Sequence, residues 1–149
     1  MGFHRSRTAP ESMLERYRQA MIDKSADDLA DLYAVDAVHE VPFMFPGIPD
    51  RLEGREQIRE TYRLAWAATD ARPMDVRQVA LHKSQNDTVL IAEQVVCGIR
   101  ESTGDELEFA GVLILHLGDG ELLRVRDYMD GLAVARAMGR LRAVADALR

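Results

Sequence analysis

The stretch RVRDYMDG, residues 124–131, places Asp127 two residues from the apolar Val125 and two residues from Met129. Successive side chains of a strand point to opposite faces of a sheet, so Asp127 shares its face with Val125 and Met129. Burial in an apolar interior raises the pKa of a carboxyl group, by about 3–5 pH units when burial is complete. Such a carboxyl acts as a general acid or base near neutral pH. The alternative is a structural aspartate paired with an arginine such as Arg100.

His39 is the second residue that could transfer a proton. It shares the parity of Val41 in a predicted strand over residues 35–41. Beside Asp127 it would form a proton-transfer dyad, in which the carboxylate selects the histidine tautomer. The alternative is a hydrogen-bonded histidine in a pocket wall. Glu40 has the opposite parity and is expected to be solvated.

Gln94 and Tyr17 could bind a substrate oxygen or hold a water molecule. For Tyr17 the alternative is helix packing, with its hydroxyl bonded to backbone. Other residues could shape an apolar cavity for a small hydrophobic molecule, or could be plain core. They are Val41, Phe43, Phe45, Tyr62, Trp66, Val96, Phe109, Gly111, Val125 and Met129. Gly98 and Gly111 lie on adjacent strands and provide either sheet curvature or room for a ligand.

Helices dominate the first half of the chain and strands the second, which predicts an α+β fold. The first helix begins at residues 8–11, where Thr8 and Glu11 match a capping box with proline in the first turn. Ser25 begins a short second helix that turns Tyr33 and two leucines inward. The strand over 35–41, a loop over 42–54 and a third helix over 55–69 follow.

The second half predicts an antiparallel meander, because its strands are joined by the short turns SQND, ESTGD and GDG. The four strands are expected at about 74–83, 88–101, 106–117 and 121–129. One last helix is expected over 132–148, with Asp130 as its cap. The domain is expected to span residues 8–149, with residues 1–7 as a flexible terminus.

Both faces of the central strands are apolar, yet three helices can cover only one. The face opposite to Asp127 carries Val95, Cys97, Ile99, Val112 and Ile114. Either the last helix or the sheet of a second subunit must cover these residues. A homodimer through this sheet face is the preferred interpretation.

Composition excludes several classes of function. The net charge of −6 argues against nucleic acid and anionic membranes as partners. One cysteine and no apolar run of membrane-spanning length fit a cytoplasmic protein. The four histidines, His4, His39, His82 and His116, lack the spacing of metal ligands. Phosphate-loop and dinucleotide fingerprints are absent, so neither a metal nor another cofactor is expected.

Four stretches carry a resemblance to a known superfamily: ERYRQAMIDKSADDLADLYAVDAVHEVPF, GREQIRETY, STGDELEFAGVLILHLGDGEL and RDYMD. Together they resemble the cone-shaped domain of nuclear transport factor 2 and ketosteroid isomerase. Within that superfamily the pattern is similar to SnoaL-like polyketide cyclases and limonene epoxide hydrolases. The resemblance implies N-terminal helices packed on a curved, mainly antiparallel sheet. It does not imply one activity, because this fold hosts many chemistries.

Family catalytic residues carry over only in part. Tyr17 occupies the place of the oxyanion-stabilising tyrosine of ketosteroid isomerases, but Val41 stands where their catalytic aspartate precedes a proline. Asp127 matches one catalytic aspartate of the epoxide hydrolases. Their other catalytic positions fall on Gln94 and Val96, and their water-holding positions on His39 and Val41. The usual mechanisms of both families are therefore not expected.

The sequence predicts a cofactor-free acid/base enzyme, with Asp127 as the acid or base and with His39, Tyr17 and Gln94 assisting. Isomerisation, aldol-type cyclisation, dehydration and hydrolysis are the reactions considered. The alternative is a non-catalytic module that binds a ligand or dimerises. An open cavity ending at Asp127 would favour the enzyme, whereas a filled interior would favour the module.

Overall fold

The computed structural model describes residues 8–149, so the predicted flexible terminus and His4 lie outside the described residues. Its elements confirm the predicted α+β class. In chain order they are α1 (Ala9–Ile22), α2 (Ala26–Ala30), β1 (Tyr33–Glu40), β2 (Arg51–Glu53), α3 (Arg55–Ala67), β3 (Ala71–Lys83), β4 (Val89–Arg100), β5 (Glu106–Gly118), β6 (Glu121–Met129), α4 (Gly131–Ala137) and α5 (Leu141–Ala147). Between residues 8 and 149, no helix is long and apolar enough to cross a membrane.

All six strands form one sheet in the order β2-β1-β6-β5-β4-β3. The predicted meander of β3 to β6 is confirmed, and β1 joins β6 in parallel. The sequence prediction missed β2, which lies in the segment predicted as a loop. Only Leu52 of this three-residue strand is buried, and pairing with β1 defines it. So short a strand has too few residues to show the alternation of a strand.

The first helix does not form the predicted capping box. Its N-cap, Thr8, makes no side-chain capping bond. Instead the ammonium group of Lys83, at the end of β3, contacts the Glu11 carboxylate at 2.6 Å and the Thr8 hydroxyl at 3.3 Å. The predicted cap of α2 is confirmed, because the Ser25 hydroxyl accepts the Asp28 N–H at 3.2 Å.

The single C-terminal helix predicted over 132–148 is two helices. Gly139 adopts a φ of +68° between them, in the left-handed region where glycine commonly ends a helix. Asp130 caps α4 as predicted, accepting the Ala133 N–H at 3.1 Å. Val134 and Val144 are buried in an apolar cluster with Phe45. Leu141 and Leu148, at the two ends of the second helix, are exposed.

The described helices pack on the face of the sheet that carries Asp127. Side chains of α1, α2, α3 and α4 lie on the wall of one cavity, and α5 packs beside α4 in the cluster around Val144. On the opposite face Val95 is buried, while Cys97, Val112 and Ile114 stay half-exposed. The last helices of residues 8–149 therefore do not cover this face.

Close approach of β3 and β4 predicts that Gly98→Ala destabilises the protein. A Cβ atom at residue 98 would lie 2.1 Å from the backbone oxygen of Arg72. We expect a loss of about 1–3 kcal/mol in the free energy of unfolding, measured by urea denaturation, because a backbone contact must shift. Gly118→Ala is the matched control, since its Cβ meets the mobile end of the Leu123 side chain at 2.6 Å. Equal losses in both variants would contradict this explanation.

Candidate functional site

A cavity of about 190 Å³ lies between the helices and the sheet. Its wall is almost entirely apolar. The predicted site residues on the wall are Tyr17, His39, Val41, Tyr62, Trp66, Val96, Phe109, Asp127 and Met129. The interior is therefore open rather than filled.

The structure places four of the residues predicted to bind substrate away from the cavity wall. Phe43 is 70% exposed, and its ring packs at 5.1 Å from that of Tyr128 on the outside of the sheet. Phe45 is buried in the apolar cluster that it forms with Val134 of α4 and Val144 of α5. Val125 is buried in the main core. At Gly111 a Cβ would lie 2.9 Å from the Tyr128 backbone oxygen, so this glycine permits close strand packing.

Gln94 also lies away from the cavity wall, although it has the predicted orientation. Its side chain points toward α1 and is buried, but its amide oxygen accepts a hydrogen bond from Arg18 Nε at 3.0 Å. Arg18 also contacts Gln78 at 3.3 Å. Gln94 therefore joins helix and sheet, and periodicity within β4 could not show this partner.

The sequence prediction did not include several wall residues outside the meander. Met44 and Ile48 come from the loop after β1, and Val134, Ala137 and Met138 from α4 and its end. The apolar character of that loop was a usable signal, since such residues are seldom left in water. The helix residues carried no signal that distinguishes a cavity wall from ordinary packing.

Asp127 projects from β6 into the cavity. Within residues 8–149 its carboxyl group has neither a hydrogen-bond donor nor an ion-pair partner, and the nearby hydroxyls of Tyr17, Tyr33 and Tyr62 interact with it only electrostatically. Burial raises the pKa of Asp127 to about 7. The alternative pairing with Arg100 is wrong, because that guanidinium contacts the Asp70 carboxylate at 3.3 Å.

His39 is held by two tyrosines rather than by Asp127. Its Nδ1 lies 2.7 Å from the Tyr33 hydroxyl and its Nε2 lies 2.8 Å from the Tyr62 hydroxyl. Burial lowers the pKa of His39 to about 4, so the imidazole is neutral at pH 7. One ring nitrogen then donates and the other accepts. Because both nitrogens are engaged, the predicted dyad with Asp127 does not form.

The three tyrosines around His39 keep their protons at neutral pH. Burial is the main cause that raises the pKa of Tyr17, Tyr33 and Tyr62, and the nearby Asp127 raises each of them further. Tyr33 was not predicted as a site residue, because the sequence analysis began the strand only at residue 35. Parity with His39 could not have revealed it either, because an irregularity between Tyr33 and Val38 interrupts the alternation and leaves Val35 exposed.

The arginine on the cavity wall is paired with an acidic residue other than Asp127. Arg72 lies on the wall, but its side chain is 56% exposed and pairs with Glu101 at 3.7 Å. Across residues 8–149 no three histidine, cysteine or acidic side chains converge to hold a metal ion. Asp127 is therefore the wall residue that can carry charge inside the cavity.

The prediction that Glu40, on the opposite face of the sheet, is solvated is wrong. The Glu40 side chain is only 16% exposed. Arg51 contacts its carboxylate at 3.1 Å, Arg126 does so at 3.7 Å, and Arg124 also bonds to it. Parity placed Glu40 on the correct face, but the arginines of β2 and β6 are non-local partners.

Comparison with known proteins places the chain in a family. The model of the SnoaL-like domain matches residues 14–125. The chain belongs to the SnoaL-like domain family. A PhzA/B-like protein of Pseudomonas aeruginosa, itself uncharacterised, is 30% identical over 115 residues, which cover 77% of this chain and 79% of the relative.

Solved structures confirm the predicted cone fold of the nuclear transport factor 2-like superfamily. A Bacillus subtilis protein proposed to be an isomerase superimposes with a TM-score of 0.79 at 23% identity, covering 89% of this SnoaL-like chain and 94% of its own. An epoxide hydrolase of the limonene type from M. tuberculosis gives a TM-score of 0.64 at 15% identity, with coverages of 95% and 97%. At these identities the likeness shows the fold alone.

The raised pKa of Asp127 predicts how Asp127→Asn changes stability with pH. The pKa rises from 3.8 to about 7 in the folded protein. The folded state therefore retains a proton that the unfolded state has lost, and wild-type stability falls as pH rises through this interval. From pH 5 to pH 8 the wild type should lose about 2–3 kcal/mol relative to Asp127→Asn, by urea unfolding.

The control for this comparison is Asp36→Asn, because Asp36 is exposed on β1. Its stability difference from the wild type should not change between the two pH values. If the free energy of unfolding of Asp127→Asn changes with pH in parallel with that of the wild type, the carboxyl group of Asp127 does not titrate in a buried environment.

Proposed function

We propose that this SnoaL-like protein is a cofactor-free acid/base enzyme that acts on a small hydrophobic molecule in the cavity. One observation carries the proposal: the carboxyl group of Asp127 faces an open apolar cavity and has no protein partner within residues 8–149. Burial brings the pKa of Asp127 to about 7, so both its acid and its base form are populated near neutral pH. General catalysis by a group with such a pKa contributes about 10²–10⁴-fold in rate.

Hydroxyl donors beside Asp127 complete the chemistry. Tyr17 and Tyr62 lie on the same wall and keep their protons. The Tyr17 hydroxyl can donate a hydrogen bond to a substrate oxygen that gains charge, and the Tyr62 hydroxyl can do so when His39 Nε2 carries the ring proton and donates to it. His39 acts as a positioning residue, because its contact with the Tyr62 hydroxyl limits rotation of that group. Isomerisation, aldol-type cyclisation, dehydration and hydrolysis are all built from such proton transfers.

The open cavity favours this enzyme over a non-catalytic module. In a module that only dimerises, the interior would be expected to be filled by side chains, as most protein cores are. Here the cavity reaches the one acid of its wall. Burial that raises the pKa of an acid also lowers the free energy of unfolding at neutral pH. An acid kept at such a cost favours a role in chemistry rather than in packing.

Exchange of substrate protons in D₂O tests the catalytic role. Small apolar ketones serve as probes, because removal of a proton next to a carbonyl group leads to deuterium uptake that NMR detects. The wild type should exchange at least one of these probes, and Asp127→Asn should lose about 10²-fold or more of that rate. The exchange rate of the wild type should also change with pH around pH 7, and this dependence should be absent in Asp127→Asn.

The direction of that pH dependence identifies the role of Asp127. A rate that rises with pH shows that the carboxylate acts as base, and a rate that falls shows that the acid form is needed. Asp36→Asn should match the wild type. An unchanged rate in Asp127→Asn would remove Asp127 from the reaction.

We further propose that the protein is a homodimer through the outer face of the sheet. Val112 and Ile114 lie half-exposed at the centre of this face. Three arginines contact Glu40 beside one end of β5, whereas Glu106 and Glu108 lie at the other end, where Glu108 also contacts Arg77 at 3.7 Å. A two-fold axis through the centre would bring these opposite charges together, which supports a second copy as the partner.

Charging the centre of this face tests the dimer. Ile114→Asp should shift the protein from dimer to monomer in size-exclusion chromatography with light scattering, because it would bury two unpaired carboxylates. Val35→Asp is the control, since Val35 is 71% exposed on β1. An unchanged mass for Ile114→Asp would contradict this interface.

A further inference from the structure

The balance of charge in the cavity points to a class of ligand. Asp127 can become an anion there, whereas the other ionisable groups that face it stay neutral: Tyr17 from α1, Tyr33 and His39 from β1, and Tyr62 from α3. No protein cation within residues 8–149 pairs with its carboxyl group. An ionised Asp127 is therefore a buried charge whose counterion must come from whatever enters the cavity.

The wall around Asp127 suits an apolar cation. Tyr62 and Trp66 lie on the wall with their ring centroids 5.0 Å apart, and their rings offer a large apolar surface to a hydrocarbon body. Leu29, Met21 and Met44 supply apolar contacts for a hydrocarbon body. The volume of about 190 Å³ limits that body to a small molecule. Among the described wall residues the one cation, Arg72, is more than half exposed and paired with Glu101, so an anionic ligand beside Asp127 would lack a free positive charge.

We propose that the cavity binds a small hydrophobic monoamine as its cation, with the ammonium group on Asp127 and the hydrocarbon body against the wall around Tyr62 and Trp66. The inference rests on the same cavity as the proposed function, but it requires no turnover. It names the ligand charge, which the proposed acid/base chemistry leaves open.

Binding of two probes of matched shape tests this inference. Cyclohexylamine and cyclohexanol differ in charge but little in size. An alkylamine has a pKa near that of lysine, about 10.4, so it is a cation at neutral pH. Isothermal titration calorimetry at pH 8 should show at least about tenfold tighter binding of the amine. At pH 5.5 that preference should fall by at least about tenfold, because Asp127 is then protonated.

Asp127→Asn should remove the preference for the amine at both pH values, while Asp36→Asn should keep the wild-type pattern. The pH dependence of the wild type is a second test that does not depend on the variant folding. Equal binding of the two probes at pH 8, or a preference that survives Asp127→Asn, would overturn the inference.

The outcome also separates this inference from the proposed function. Amine binding without ketone exchange would support the ligand class and contradict the proton-transfer role. Ketone exchange without a preference for the amine would support the proton-transfer role and contradict the ligand class.

Discussion

The site depends on one unfavourable placement, a carboxyl group in an apolar cavity that pairs with no other side chain of residues 8–149. Its burial raises the pKa of Asp127 to about 7, which means that ionisation costs folding free energy at neutral pH. The rest of the domain must compensate for this cost. A continuous core from α1 to β6, with Leu29, Ile58, Leu113 and Leu115 almost fully buried, supplies the apolar burial that does so.

Among the described residues of the cavity wall, Arg72 is paired with Glu101, and the other polar groups are neutral except for Asp127. His39 is neutral, and its two nitrogens are satisfied by Tyr33 and Tyr62, so this pair of contacts keeps a buried histidine without charge. Arginines that could neutralise the acid are engaged elsewhere, as Arg100 is with Asp70 and with the carbonyl groups of Arg136 and Ala137 at the end of α4. In both of our proposals this same carboxyl group is the central residue, as the acid or base in proton transfer and as the counter-charge of a cationic ligand.

The C-terminal segment shows how the fold completes this cavity. The bond from Arg100 holds the end of α4, and Gly139 then ends the helix and redirects the chain. Val134 and Met138 are thereby placed on the cavity wall, facing Met44 and Ile48 from the loop after β1. This leaves the outer face of the sheet free of helices in residues 8–149, consistent with a second copy as its partner.

Predictions from strand alternation were the most successful. The orientation of Asp127, Val96 and Met129 followed from the two-residue period of β4 and β6, because alternation is a local property of an extended backbone. Gln94 faced the predicted side, but Arg18 binds it there. Phe43 and Phe45 lie in a loop, where no period assigns a side chain to one face, and they ended on opposite sides of that loop.

The sequence by itself determined the α+β class, the meander and the face on which the acid lies, because each depends on residue pattern along a short segment. Only the tertiary structure decided that His39 bonds to two tyrosines, that Arg100 leaves Asp127 unpaired and that α4 completes the cavity wall. These features join residues far apart in the chain, and a hydrogen-bond partner or an empty volume is set by packing that no local pattern records.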